Sequence, residues 1–173
     1  ITCGHCRACR RGRRNCCENI QLFGIHVDGG MQEYLAVPLE LLHKSERLSL
    51  EQLALVETLG IGAHAVERSQ LQSGEQALIV GAGPIGLATA IFAEQAGATI
   101  SIVEKNPERR RFLERMGYSA TSMADGGQAD VVFDATGSAE AMARSPGLVA
   151  PAGRLVYVGL TKEPIQLDDF VLH

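Results

Sequence analysis

Ala77-Leu78-Ile79-Val80-Gly81-Ala82-Gly83-Pro84-Ile85-Gly86 is the stretch whose reading decides the fold. Ala77 to Val80 is a short, uninterrupted apolar run, as expected of a parallel strand covered on both faces. Gly81 to Gly86 then fits the pattern G-x-G-x-x-G. Pro84 to Ala96 reads as a helix closed by Gly97, and Thr99 to Val103 as a second strand. Alone, the glycine pattern marks many tight turns. Between a buried strand and a helix it points to dinucleotide binding. Gly81 permits the sharp turn, Gly83 lets the backbone approach a pyrophosphate, and Gly86 lets the helix pack closely on the strand. The free N–H groups around Pro84 and Ile85, at the positive end of the helix dipole, would face the phosphates.

Working outward, Glu104 follows the second strand at close to the spacing of about 20 residues expected for an acidic ribose ligand. A carboxylate there can accept hydrogen bonds from both ribose hydroxyls of NAD and would repel the 2′-phosphate of NADP. NAD is therefore the expected cofactor, with Lys105, Arg109, Arg110 and Arg111 close enough in sequence to soften the preference. Further on, Pro107 to Met116 reads as a helix, Tyr118 to Thr121 as a short third strand, and Asp130 to Asp134 as a fourth. Ser138 to Val149 begins as a helix, and Arg154 to Val158 forms a fifth strand ending at Gly159. Alternating strands and helices predict an α/β fold: a doubly wound parallel Rossmann sheet, incomplete at its C-terminal end.

Upstream, the texture differs. Ile20 to Ile25 and Glu33 to Pro38 read as irregular strands, with a turn at Asp28-Gly29-Gly30. Ser49 is a good N-cap for a helix through Leu55, and a second helical pattern runs from about Leu59 to Leu71. The expected division is residues 1–58 as a partial catalytic-domain segment carrying a metal loop and 59–173 as the nucleotide-binding domain. The chain starts at Ile1 and stops within an apolar pattern at Phe170-Val171-Leu172-His173, so it reads as an internal fragment of a longer protein.

All five cysteines fall between Cys3 and Cys17. A disulfide framework would spread them through the fold, whereas a tight cluster reads as a metal site. Cys3, Cys6, Cys9 and Cys17 are spaced C-x2-C-x2-C-x7-C. Four thiolates can close a tetrahedral shell around zinc with no open position, which makes the site structural. Cys16 competes for the fourth place. An iron–sulfur site is the rival reading, but that motif continues with three residues and then Cys-Pro. Here seven residues intervene and Glu18 follows. Arg7, Arg10, Arg11, Arg13 and Arg14 read as a solvated loop face.

A net charge of −4 gives no reason to expect a nucleic-acid or membrane partner. No apolar run of about 18 residues and no secretory signal is present, so the cytoplasm is the expected compartment.

Together the cysteine loop and the glycine turn resemble the zinc-dependent medium-chain alcohol dehydrogenases, most closely the polyol, threonine and sugar-acid dehydrogenase branch. Cys3-Gly4-His5-Cys6 to Cys17-Glu18-Asn19 resembles the structural zinc lobe. Asp28-Gly29-Gly30-Met31-Gln32-Glu33-Tyr34 resembles the stretch D-G-G-x-x-E-Y, and Val80 to Gly86 the cofactor turn. Asp130 to Gly137 and Gly153 to Gly159 resemble the fourth and fifth strands. The resemblance implies hydride transfer between a small-molecule secondary alcohol and NAD, with a catalytic zinc as Lewis acid on the alcohol oxygen. It implies Glu57 as a candidate ligand of that zinc, although Thr58 replaces the usual proline. It also implies Arg109 beside the adenosine, Thr136 and Gly137 at the cofactor's edge, and Val158 and Gly159 near the nicotinamide. His26 falls in a segment resembling the substrate-cleft loop but reads as a structural loop histidine, and His64 as a core residue. The other main ligands of the catalytic zinc would lie upstream, so this chain alone should bind NADH weakly without turnover. A homo-oligomer, dimer or tetramer, is implied. A non-catalytic NAD-binding or NAD-sensing protein is the alternative.

Overall fold

The computed structural model describes residues 1–123, 125 and 127–172. It separates into two compact units, Ile1–Leu48 and Ser49–His173. That division falls before the position expected from composition. Helix α3 (Val56–Ser69) joins the second unit because its Gly62, Ala65, Val66 and Ser69 pack against α4 (Pro84–Gln95). A Cβ on Gly62 would stand 2.6 Å from the main chain of Ala88 and Thr89, so only glycine allows that approach.

The first unit holds a single helical turn, α1 (Arg7–Arg10), and short 3-10 turns at Arg14–Cys16 and Leu39–Leu41. The strands expected at 20–25 and 33–38 do not form. Among the described residues there is only an isolated bridge between Phe23 and Val27. A strand needs a neighbour to take its N–H and C=O groups, and residues 1–48 supply none.

The second unit opens with α2 (Leu50–Ala54). Ser49 caps it and Gln52 returns a bond to the Ser49 N–H, completing a capping box. The sheet, among the described residues, has five parallel strands: β1 (Gln76–Val80), β2 (Thr99–Val103), β3 (Ala120–Thr121), β4 (Ala129–Asp134) and β5 (Val149–Tyr157). Their order is β3-β2-β1-β4-β5. The doubly wound parallel fold is thus as the sequence indicated. Strand β5 begins earlier than expected, at Val149, and bends through an irregularity in its pairing with β4 where Ala152 adopts φ 63°. Apolar runs explain the core: Leu78, Ile79, Val131, Val132 and Phe133 are all completely buried, as strands covered by helices on both faces must be.

Register places the site. Thr121, Val103, Val80, Asp134 and Tyr157 stand opposite one another across the sheet. The C-terminal strand ends therefore form one edge. The chain moves outward from β1 in one direction through β2 and β3, then returns to lay β4 on the other side. That reversal opens a crevice beyond the ends of β1 and β4, where ligands bind in open α/β sheets. Helices α5 (Pro107–Arg115) and α6 (Ala139–Arg144) flank it. At the opposite edge, Glu75 is held by the Gln72 N–H and by Arg154, which keep its carboxyl below the usual range.

Candidate functional site

The glycine turn leaves β1 with Gly81 at φ 90°, a left-handed conformation that disfavours any side chain. Gly86 is the third residue of α4, and a Cβ there would sit 1.8 Å from the Gly81 carbonyl oxygen. A Cβ on Gly83 would meet nothing nearer than Arg109 Nη1 at 4.0 Å. The first and third glycines are thus required by the fold itself, while the second faces open space. Pro84 takes the first position of α4, where its missing N–H costs nothing. Among the described residues no side chain caps this helix start. The first N–H groups of any helix lack intrahelical acceptors.

Glu104 closes the turn from the β2 side. It is buried, with 4 % exposure. Oε2 accepts the Ala82 N–H at 2.8 Å, and Oε1 accepts the Asn106 N–H at 2.8 Å. Arg109 Nη1 lies 3.6 Å from Oε2. Asn106 in turn caps α5, its Oδ1 accepting the N–H groups of Glu108 and Arg109. Each carboxylate oxygen has two acceptor directions, so Glu104 keeps capacity for further donors.

A cavity of about 330 Å³ lies over this edge. Gly81, Gly83, Glu104 and Arg109 form one wall, and Thr136, Ser138, Ala141 and Arg144 the other. Gly137 and Gly159 bring the loops after β4 and β5 into contact: a Cβ on Gly159 would stand 2.5 Å from the Gly137 N. The N–H groups of Val158 and Gly159 both bond the Asp134 carbonyl at 2.8 Å. Asp134, Ser145 and the α6 wall carry no local motif that marks them in the sequence. For Asp134 the local sign is an acidic residue ending the apolar run of β4.

In the first unit, the sulfurs of Cys3, Cys6, Cys9 and Cys17 all lie within 4.8 Å of one another. Tetrahedral zinc with bonds of about 2.3 Å would set them about 3.8 Å apart, so the four fit such a shell with a small contraction. Backbone N–H groups point at the sulfurs: Cys6 to Cys3 and Cys9 to Cys6 at 3.4 Å, and Cys3 and Asn19 to Cys17 at 3.3 and 3.4 Å. The N–H groups of His5 and Cys6 hold the Cys3 thiol down to about 6. Those of Cys9 and Glu18 lower Cys6, and loss of surrounding water, together with Cys6, pushes Cys9 up to about 11. Cys16 is exposed and stands outside the cluster.

The remaining candidates are dispersed. Glu57 is exposed in the first turn of α3 and joins no cluster of metal-ligating groups among the described residues. His26 is a loop staple whose Nδ1 accepts the Leu22 N–H at 3.0 Å. His64 is not in the core. Its side chain is 59 % exposed beside Glu67, because it projects away from the Gly62, Ala65 and Val66 face of α3.

Comparison with known proteins follows the same two parts. Residues 84–173 match the family described as zinc-binding dehydrogenase, and residues 1–47 the alcohol dehydrogenase GroES-like domain. The chain belongs to the zinc-binding dehydrogenase family. It is 37% identical to L-galactonate-5-dehydrogenase of Escherichia coli K12, over 100% of this chain and 55% of that protein. It is 34% identical to 2-dehydro-3-deoxy-L-galactonate 5-dehydrogenase of Pseudoalteromonas atlantica, over 97% of this chain and 54% of that one. A zinc-binding dehydrogenase of Sinorhizobium meliloti 1021, solved bound to NADP, superposes with a TM-score of 0.90 at 31% identity, covering 99% of this chain and 56% of its own. The chain thus spans about half the length of the relatives it matches. Among the described residues no helix is long and apolar enough to cross a membrane.

Proposed function

We propose that the protein is a zinc-dependent oxidoreductase that transfers a hydride between NAD and a secondary alcohol of a sugar acid, polyol or similar metabolite. The observation that carries this reading is the uncapped start of α4 facing a cavity beside the buried Glu104. Bound NAD would supply the hydride acceptor. The N–H groups of Gly83, Ile85 and Gly86 would hold its pyrophosphate, since those of Gly81 and Ala82 already donate to Val103 and Glu104 and Pro84 has none. The free acceptor capacity of Glu104 suits the ribose hydroxyls, with Arg109 alongside the adenosine. Thr136 and Gly137 would border the cofactor, and Val158 and Gly159 would approach the nicotinamide.

Two zinc roles belong to the reading. Cys3, Cys6, Cys9 and Cys17 would hold a structural ion that orders residues 1–19. A catalytic ion, when bound, would supply a Lewis acid for the alcohol oxygen. Glu57 is the residue of this chain offered as its ligand. Sugar-acid substrates are suggested by what the two galactonate-type relatives act on. A homo-oligomer in the cytoplasm completes the proposal.

The test is titration with NADH and NADPH, followed by nicotinamide fluorescence. Tryptophan is absent from the sequence and adds no background. NADH should bind, and NADPH should bind at least tenfold more weakly, by roughly the 1–3 kcal/mol at stake in one charged hydrogen bond. Absence of NADH binding, or a preference for NADPH, overturns the reading.

A further inference from the structure

We propose that Asp134, which lines no part of the cavity, is a positioning residue for the dinucleotide; the inference rests on the NAD-binding reading above. Asp134 ends β4 and is completely buried. Among the described residues it forms no ion pair with Lys, Arg or His. The donors to its side chain and its carbonyl oxygen come from the loop after β4, the 3-10 turn that follows α6 and the loop after β5; the first of these lines the far cavity wall.

Its Oδ1 accepts the Thr136 N–H at 2.9 Å and the Thr136 hydroxyl at 2.6 Å. Its Oδ2 accepts the Ser145 hydroxyl at 2.5 Å. Its main-chain oxygen accepts Val158 and Gly159. From Thr136 the linkage continues: Thr136 Oγ1 accepts the Ser138 N–H at 3.1 Å, and Ser138 Oγ caps α6 through the Ala141 N–H at 3.4 Å. Thr136, Ser138 and Ala141 line the cavity, whereas Asp134 and Ser145 do not. One buried side chain therefore fixes the loop after β4 and the start of α6, while its main-chain oxygen fixes the loop after β5. A carboxylate suits the task because it accepts from three donors at once and gives none.

Replacement by alanine and by asparagine separates positioning from mere stability. In D134A the Thr136 donors lose their acceptor and the turn relaxes. In D134N the amide oxygen still receives Thr136. The amide N–H₂ donates to Ser145 Oγ, whose proton turns to the Ala141 carbonyl, already 3.1 Å away. NADH affinity is measured on the folded protein well below its melting temperature. D134A should bind about tenfold more weakly than wild type, and D134N within about twofold. A residue that served stability alone would lower the melting temperature and leave the affinity of the folded protein unchanged. Should D134A not fold, S145A tests the same linkage. NADH affinity should fall about threefold, and amide exchange should quicken at Thr136 and Ser138 but not at Leu78 or Phe133. Wild-type affinity in folded D134A or in S145A overturns the proposal. A wild-type protein that binds no NADH overturns the NAD reading instead, and the exchange measurement, made without ligand, tells the two failures apart.

Discussion

Glu104 and Ala82 are joined at 2.8 Å, carboxylate to main-chain N–H, across the gap between the end of β2 and the glycine turn. The bond gives Glu104 a structural task besides the recognition proposed for it, since its other oxygen holds the Asn106 N–H ahead of α5. In E104Q one of these two N–H groups would face an amide donor instead of an acceptor. Loss of one buried acceptor should cost about 1–3 kcal/mol in urea unfolding. NADH affinity should fall as well, without a compensating gain for NADPH. Wild-type stability in E104Q would show that Glu104 is a ligand residue only.

The three glycines of the turn should separate by experiment. Gly86 has the Gly81 carbonyl 1.8 Å from where its Cβ would stand, so G86A must displace α4 from β1. An overpacking penalty of about 1–3 kcal/mol or more is expected. Gly83 has extended backbone, φ −70°, and 4.0 Å of clearance. G83A should therefore keep wild-type thermal stability while weakening NADH, because its methyl group would enter the space proposed for the pyrophosphate. Equal NADH affinity in G83A and wild type would contradict that placement.

The cysteine cluster makes a stoichiometric prediction. The protein should contain about one zinc per chain, released by strong chelators with loss of order in residues 1–19. C17S should lose the metal, since Cys17 is buried within the cluster, whereas C16S should retain it, since Cys16 is exposed outside. In the zinc-bound protein Cys16 alone should react quickly with a thiol reagent. Iron with visible absorbance, or metal loss in C16S, would refute the assignment.

What could be read from sequence was whatever is encoded within a few residues. Gly81 and Gly86 are fixed by local backbone demands, and the cysteine spacing by the reach of a short loop. Ser49 declares its helix start directly, and the structure adds Gln52 as the second half of a capping box. Features that depend on distant partners were not legible. Asp134 matters through Ser145, Val158 and Gly159, which only the folded β4–α6–β5 arrangement brings to it. Ile20 to Ile25 and Glu33 to Pro38 have strand-like patterns, but pattern alone supplies no neighbouring strand. His64 was misplaced because helical spacing in an apolar stretch does not say which face of α3 meets α4.

Tyr118 and Glu94 supply a pH prediction. The Tyr118 hydroxyl donates to Glu94 Oε2 at 2.7 Å, tying the loop after α5 to α4. Burial of the ring, then the hydrogen bond to Glu94 and its charge, push the phenol up to about 12. A phenol with a raised folded-state pKa holds its proton more tightly folded than unfolded. Its contribution is therefore complete below the unfolded value of about 10 and is lost as pH rises from there to about 12. The contact faces solvent, so Y118F should cost less than about 1 kcal/mol at neutral pH. It should also flatten the decline in stability across that alkaline window. Phenolate absorbance in the folded wild type should include one tyrosine ionising near pH 12 that Y118F lacks, beside Tyr157, which burial and the charge of Asp134 also push up; an alkaline titration unchanged in Y118F would assign the transition to another residue.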